Sequence, residues 1–200
     1  MGNRAVITTP ERKIGLYLHW NGGRDTVEPL LRYCELKGYR APGSDSYGWA
    51  RLCQVVGNFF GGTLSVGIAP YSDDRRMNPG DNGIYVVDGW KIVDRILPYE
   101  GFVEEDEHDF DGMLRALDES MPEAERLGAL LDSTEVATSE LELGDEVWAR
   151  GIDGKYSTYP VVAFDDDGTP LVARYDHDGD WSWNPNNRIE EKSVLIVGRK

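Results

Sequence analysis

The chain is poor in the residues that carry most enzyme chemistry. Only three histidines, His19, His108 and His177, and two cysteines, Cys34 and Cys53, occur in 200 residues. Two cysteines cannot build a disulfide framework, and they read as buried thiols of a reducing compartment. Both fall on apolar helical stripes, where a thiol is inert. No H-E-x-x-H, C-x-x-C, G-x-S-x-G, Walker A or Rossmann glycine pattern is present. These absences point to a protein that is not an enzyme and that uses no cofactor and no metal. No apolar run approaches the ~18 residues a membrane span needs. The opening MGNRAVITTPERK lacks the apolar core of a secretory signal. The expected location is the cytoplasm, without membrane contact.

Basic side chains are outnumbered, 21 against 36 acidic ones, for a formal charge of −15. Phosphate-backbone affinity comes from clustered Lys and Arg, so direct nucleic-acid binding is not expected. The excess is segregated. Residues 1–100 carry a net of +1, residues 101–146 a net of −14 and residues 147–200 a net of −2. The acidic stretch opens with Glu104, Glu105, Asp106, Glu107, Asp109 and Asp111. A like-charge block of this kind is either a solvated face or a surface that imitates DNA and docks on a basic partner.

What is abundant is periodicity. AVITT at 5–9 and IGLYLHW at 14–20 read as strands separated by a Pro10 turn. Val27, Leu30, Leu31 and Cys34 predict a helix over about 26–37, capped by Asp25 or Thr26. Trp49, Leu52, Cys53, Val56, Phe59 and Phe60 predict a second helix over about 46–60. LSVGIA at 64–69 reads as a strand. GIYVVD and WKIVDRIL, joined at Asp88-Gly89, carry a strong hairpin signal. Residues 109–131 read as an acidic helical hairpin or broken helix, and 132–139 as a polar linker. From Leu141 the period becomes 2, with five short strands between Asp- and Gly-rich turns, which suggests a small barrel. The expected fold is α+β. A ββααβββ domain with a mostly antiparallel sheet spans 1–100, an acidic helical connector 101–140, and a small all-β barrel 141–200. The aspartate-rich string at 176–180 begins like a calcium loop, but Trp181 stands where that loop needs glycine and Asn187 where it needs glutamate, so a hairpin turn is the better reading.

The densest constellation is YLHWNGGRD at 17–25 with SDSYGWARL at 44–52. A strand passing through Gly22 and Gly23 into a helix start can turn backbone N–H groups outward, at the positive end of the helix. Arg24 adds a bidentate cation. Trp20 and Tyr47 can stack a base, and His19 and Arg51 can supply polar contacts. The expected ligand-binding set is therefore His19, Trp20, Gly22, Gly23, Arg24, Tyr47 and Arg51. The same turn also needs glycine on geometric grounds alone, and a capping Asp25 would use the amides a phosphate wants. Both readings stand on the residues.

The strings YLHWNGGRD, LRYCELKGYR, DSYGWARLCQVVGNFFGG and NGIYVVDGW resemble an uncharacterised family of phage and prophage proteins of Gram-positive gut bacteria. L-x-L-G-D-E-V-W resembles the opening strand of Tudor-like small barrels. The first resemblance implies a viral accessory protein acting inside a bacterium against host defence. One route is to sequester a small signalling nucleotide, a pocket that a second subunit of a homo-oligomer can complete. The alternative is an acidic protein–protein inhibitor of a host defence protein, a DNA mimic of anti-CRISPR or anti-restriction type, acting through residues 104–146. Fold-level likeness alone does not choose between them.

Overall fold

A computed structural model describes the chain except residues 1, 44–45, 62–64, 105–107, 151–155, 176–180, 183–187, 190 and 198–200. It divides into two compact units, Met1–Arg126 and Leu127–Lys200. No helix among the described residues is long and apolar enough to cross a membrane.

The first unit is α+β. Strands β1 (Ala5–Thr8) and β2 (Ile14–Leu18) form an antiparallel pair with Val6 opposite Tyr17. Helices α1 (Arg24–Leu36) and α2 (Ser46–Phe59) follow, then β3 (Val66–Pro70), which extends the sheet beyond β2. A single turn, α3 (Asp74–Met77), precedes the hairpin β4 (Ile84–Asp88) and β5 (Lys91–Ile96). The strand order is β3-β2-β1-β4-β5. The expected antiparallel character holds at every pair but one, because β1 and β4 run parallel. Their sequences explain why this pair is central. AVIT and IYVV are buried at every position. Neighbouring residues of a strand face opposite sides, so continuous burial means cover on both faces, as parallel strands require.

Helix α4 (Phe110–Ser120) closes the unit and packs on α1 and α2. Asp109 caps it, accepting a hydrogen bond from the Gly112 amide at 2.8 Å. Leu117 on α4 is fully buried, as are Leu30, Tyr33 and Cys34 on α1 and Leu52 and Val56 on α2. Tyr33 anchors the chain beyond α4 by donating its hydroxyl to the Glu125 carbonyl at 2.5 Å. The expected second helix after Pro122 is instead a short 3₁₀ turn, Glu123–Glu125, and a further 3₁₀ stretch, Gly128–Asp132, opens the second unit.

The second unit is an antiparallel sheet in the order β6-β12-β7-β8-β9. Its members are β6 (Thr134–Ala137), β7 (Glu146–Arg150), β8 (Tyr156–Phe164), β9 (Pro170–Val172) and β12 (Ser193–Ile196). A separate two-stranded ribbon joins β10 (Arg174–Tyr175) to β11 (Trp181–Ser182). Two expectations are corrected. Residues 132–139 are not merely a linker, because Thr134–Ala137 pairs along its length with β12. Their polarity suits an edge strand with one side in water. The sheet is also not closed into a barrel. Closure would need β9 to meet β6, but the outer edge of β9 is taken by Leu171 bridging to Arg188 and by the Ile189 amide bonding to the Pro170 carbonyl at 3.0 Å. Leu141, Val147, Val161, Val172, Ile189 and Ile196 form the core of this unit.

Candidate functional site

The turn after β2 is built for close packing. Asn21 takes a left-handed conformation with φ 53°. Gly22 then lies flush against β1. Its amide donates to the Asn3 carbonyl at 2.8 Å, and a Cβ there would come within 2.6 Å of the Ala5 nitrogen. Gly23, not Asp25 or Thr26, is the N-cap of α1, and no side chain caps the helix. The Gly23 carbonyl accepts from the amides of Thr26 and Val27. Asp25 lies in the first turn, where its charge suits the helix dipole, and its carboxylate covers the α-carbon of Gly23. The expected open anion nest is corrected on this point. One of its two amides is already bonded, and the chain's own carboxylate sits over the other glycine.

The remaining expected residues are placed apart. His19 is tied into the sheet by backbone hydrogen bonds with Ser65 and Asn3. Its Nδ1 shares a 2.8 Å hydrogen bond with the Tyr17 hydroxyl, and its ring meets Trp20 edge-on at 4.9 Å. Trp20 is 46% exposed. Tyr47 and Arg51 instead line a cavity of about 320 Å³ with Gly38, Tyr39 and Arg40. There two guanidinium groups stand over two phenols, Arg40 over Tyr47 and Arg51 over Tyr39, each at 5.7 Å. Burial, followed by the hydrogen bond to Glu125, pushes the Tyr39 phenol up. Neither His19 nor Trp20 lines this cavity.

Arg24 belongs to a different and larger space. A cavity of about 510 Å³ lies between α1, the β4–β5 hairpin and the start of α4. Its walls carry Arg24 and Arg32 from α1, Lys91 and Arg95 from β5, and the rings of Tyr85, Trp90 and Phe110. Pro29, Leu31, Ile92 and Leu114 supply apolar lining. The described lining contains no serine, cysteine or histidine.

Arg95 reaches this cavity because of a β-bulge. Around the turn, Asp88 pairs with Lys91 and Val87 with Ile92. The register then shifts, so that Val86 faces Asp94 and Tyr85 faces Arg95. The skipped residue, Val93, is exposed. Bulges commonly re-aim a side chain in this way. The Arg95 side chain is only 13% exposed. Its Nε and Nη2 donate to the Asn82 carbonyl, at 3.3 and 3.0 Å. Its guanidinium lies 4.4 Å from the Tyr85 ring and 5.4 Å from the Phe102 ring. Its Nη1 bonds the Glu104 carboxylate. Arg24 donates to Glu28 at 2.7 Å and stands 3.8 Å from Glu104 and 5.9 Å from the Phe110 ring. Tyr85 is fully buried, and its hydroxyl has no hydrogen-bond partner. Burial pushes this phenol up as well.

The acidic run is partly spent inside the fold. Glu104 bonds Arg95, Asp109 caps α4, and Asp111 lines the large cavity. Glu105, Asp106 and Glu107 lie outside the described residues. Residues 176–180, the string that begins like a calcium loop, do as well. Among the described residues no group of three or more His, Cys, Asp or Glu side chains is arranged to hold a metal ion.

Sequence reasoning found Arg24 but missed Tyr85, Trp90, Lys91, Arg95 and Phe110. The available signal was a strand, KIVDRI, bearing a lysine and an arginine beside a partner, IYVVD, that carries Tyr85. Compared with known proteins, the chain matches no family profile, no curated protein and no solved structure.

Proposed function

We propose that residues 1–126 form a non-enzymatic receptor for a small nucleotide-type anion, held in the cavity between α1, β4–β5 and α4. The observation that carries this reading is Tyr85, a residue of the cavity lining whose buried hydroxyl has no hydrogen-bond partner. Buried polar groups are nearly always satisfied, so an orphan beside a cavity points to a group that arrives there. Arg95 and Arg24 beside it favour an anion. Trp90 and Phe110 favour a planar ring in the same ligand. The volume, about 510 Å³, lies in the range of small-molecule sites.

The role expected of Arg24 is retained, with the site moved from the glycine turn to the helix flank. Stacking passes from Trp20 and Tyr47 to Trp90 and Phe110. In the phage setting that the sequence resemblance implies, capture without turnover withdraws a signalling nucleotide from host defence.

The experiment is calorimetric titration of the intact protein with ADP-ribose, cyclic AMP and cyclic dinucleotides. One of them should bind with a stoichiometry of one per cavity and be recovered unchanged after denaturation. No heat and no thermal shift with any of them refutes the proposal.

A further inference from the structure

Glu104 holds a position unlike that of any other acidic residue described in the run. It lies on irregular chain between β5 and α4, yet its carboxylate reaches two of the three guanidinium groups of the cavity, Arg95 directly and Arg24 at 3.8 Å. The other acid on Arg24 is Glu28, fixed one turn along the same helix. Burial is the main cause that pushes the Tyr85 phenol up, with the Glu104 charge a smaller one in the same direction, and no hydrogen bond joins the two. Among the four carboxylates of the lining, Glu28, Glu35, Glu104 and Asp111, Glu104 bridges Arg24 and Arg95, while Glu35 holds Arg32, and the Tyr85 hydroxyl is left without a partner.

We infer that Glu104 is a displaceable stand-in for the ligand's phosphate, and that a bound phosphate takes the Tyr85 hydroxyl that Glu104 leaves unpaired. This rests on reading the cavity as an anion receptor. A carboxylate is planar with two oxygens. A diphosphate group, as in inorganic pyrophosphate or ADP-ribose, offers non-bridging oxygens on two tetrahedral phosphorus atoms and more charge. It can therefore accept from Arg95, Arg24 and Tyr85 together, where the carboxylate serves only the two cations. The stand-in raises the threshold for entry. A planar carboxylate monoanion gains too little to replace Glu104, while a tetrahedral phosphoryl group gains an extra donor. The device selects by charge and shape at the cost of some affinity.

The test uses the intact protein and two probes, pyrophosphate for the anion alone and ADP-ribose for anion and ring together. Glu104→Gln removes the competing charge and should tighten both probes about fivefold, the scale of a partly exposed ion pair. Tyr85→Phe should weaken both about tenfold, the scale of a hydrogen bond to a charged group. It should not lower Tm, because it deletes a hydroxyl that has no partner. In wild-type protein the NMR resonance of the Arg95 Nε–H should move on saturation with pyrophosphate, which reads the exchange of partners without any variant. If wild-type protein binds ADP-ribose but Glu104→Gln binds it no better, or Arg95 does not respond, the stand-in idea is overturned and the receptor reading survives. If neither wild type nor Glu104→Gln binds either probe, both fall.

Discussion

Replacing Gly22 by alanine separates packing from ligand binding at the turn after β2. An added Cβ would stand 2.6 Å from the Ala5 nitrogen and 2.7 Å from the Asn3 carbonyl oxygen. Both are backbone atoms, and the Asn3 carbonyl is already fixed by the Gly22 amide. Neither can swing aside as a side-chain tip can, so β1 itself must shift. Overpacking of this kind costs about 1–3 kcal/mol. For a unit of this size that lowers Tm by roughly 3–12 °C. Gly57→Ala is the matched control. Gly57 lies inside α2, and a Cβ there meets nothing within 4 Å. The same substitution should stabilise this helix by about 0.5–1 kcal/mol. Thermal and urea unfolding followed by circular dichroism measures both. Shifts of equal sign and size, or an unchanged Tm for Gly22→Ala, refute the close-packing account of the N-G-G turn.

Further predictions concern the core, the termini of the sheet and the thiols. Leu117→Ala removes a fully buried side chain from the α4 face that packs on α1 and should cost about 2–5 kcal/mol in urea unfolding. The Arg4 side chain, hydrogen-bonded to Asp81, holds that carboxyl below its ordinary value. A depressed folded pKa means stability present above the unfolded carboxyl range, near about 4, and lost as pH falls through the lower folded value. Asp81→Asn should therefore flatten the acid limb of the Tm–pH profile, and an unchanged limb contradicts it. Burial pushes the Cys34 thiol up, so it should resist alkylation by iodoacetamide until the first unit unfolds, as mass spectrometry can follow.

Much of the first unit is legible in the sequence because its helices carry their burial pattern openly. The apolar spacing on α1 and α2 places Leu30, Cys34, Leu52 and Val56 correctly, and the hairpin forms where Asp88-Gly89 signals it, though one residue on, because Asp88 pairs with Lys91 and the turn residues are Gly89 and Trp90. What pattern does not encode is strand direction. AVIT and IYVV read the same whether paired parallel or antiparallel, and only the long chain between them allows the parallel choice. Alternation in the second unit announces short strands but not whether their ends meet, and Leu171 engaging Arg188 is a tertiary event. The site is the least legible part. Its walls come from residues 24–35, 85–95 and 104–114, brought together by helix packing. Its key cation, Arg95, faces Tyr85 only through a bulge at Val93 that an ideal hairpin count would not place.

The account stands on where an anionic ring ligand settles. Amide chemical-shift mapping of the isotope-labelled protein during titration with ADP-ribose locates it directly. The account predicts changes concentrated at Arg24, Glu28, Tyr85, Lys91, Arg95 and Phe110. Changes centred on Tyr39, Tyr47 and Arg51, or none at all at saturating ADP-ribose, would contradict it.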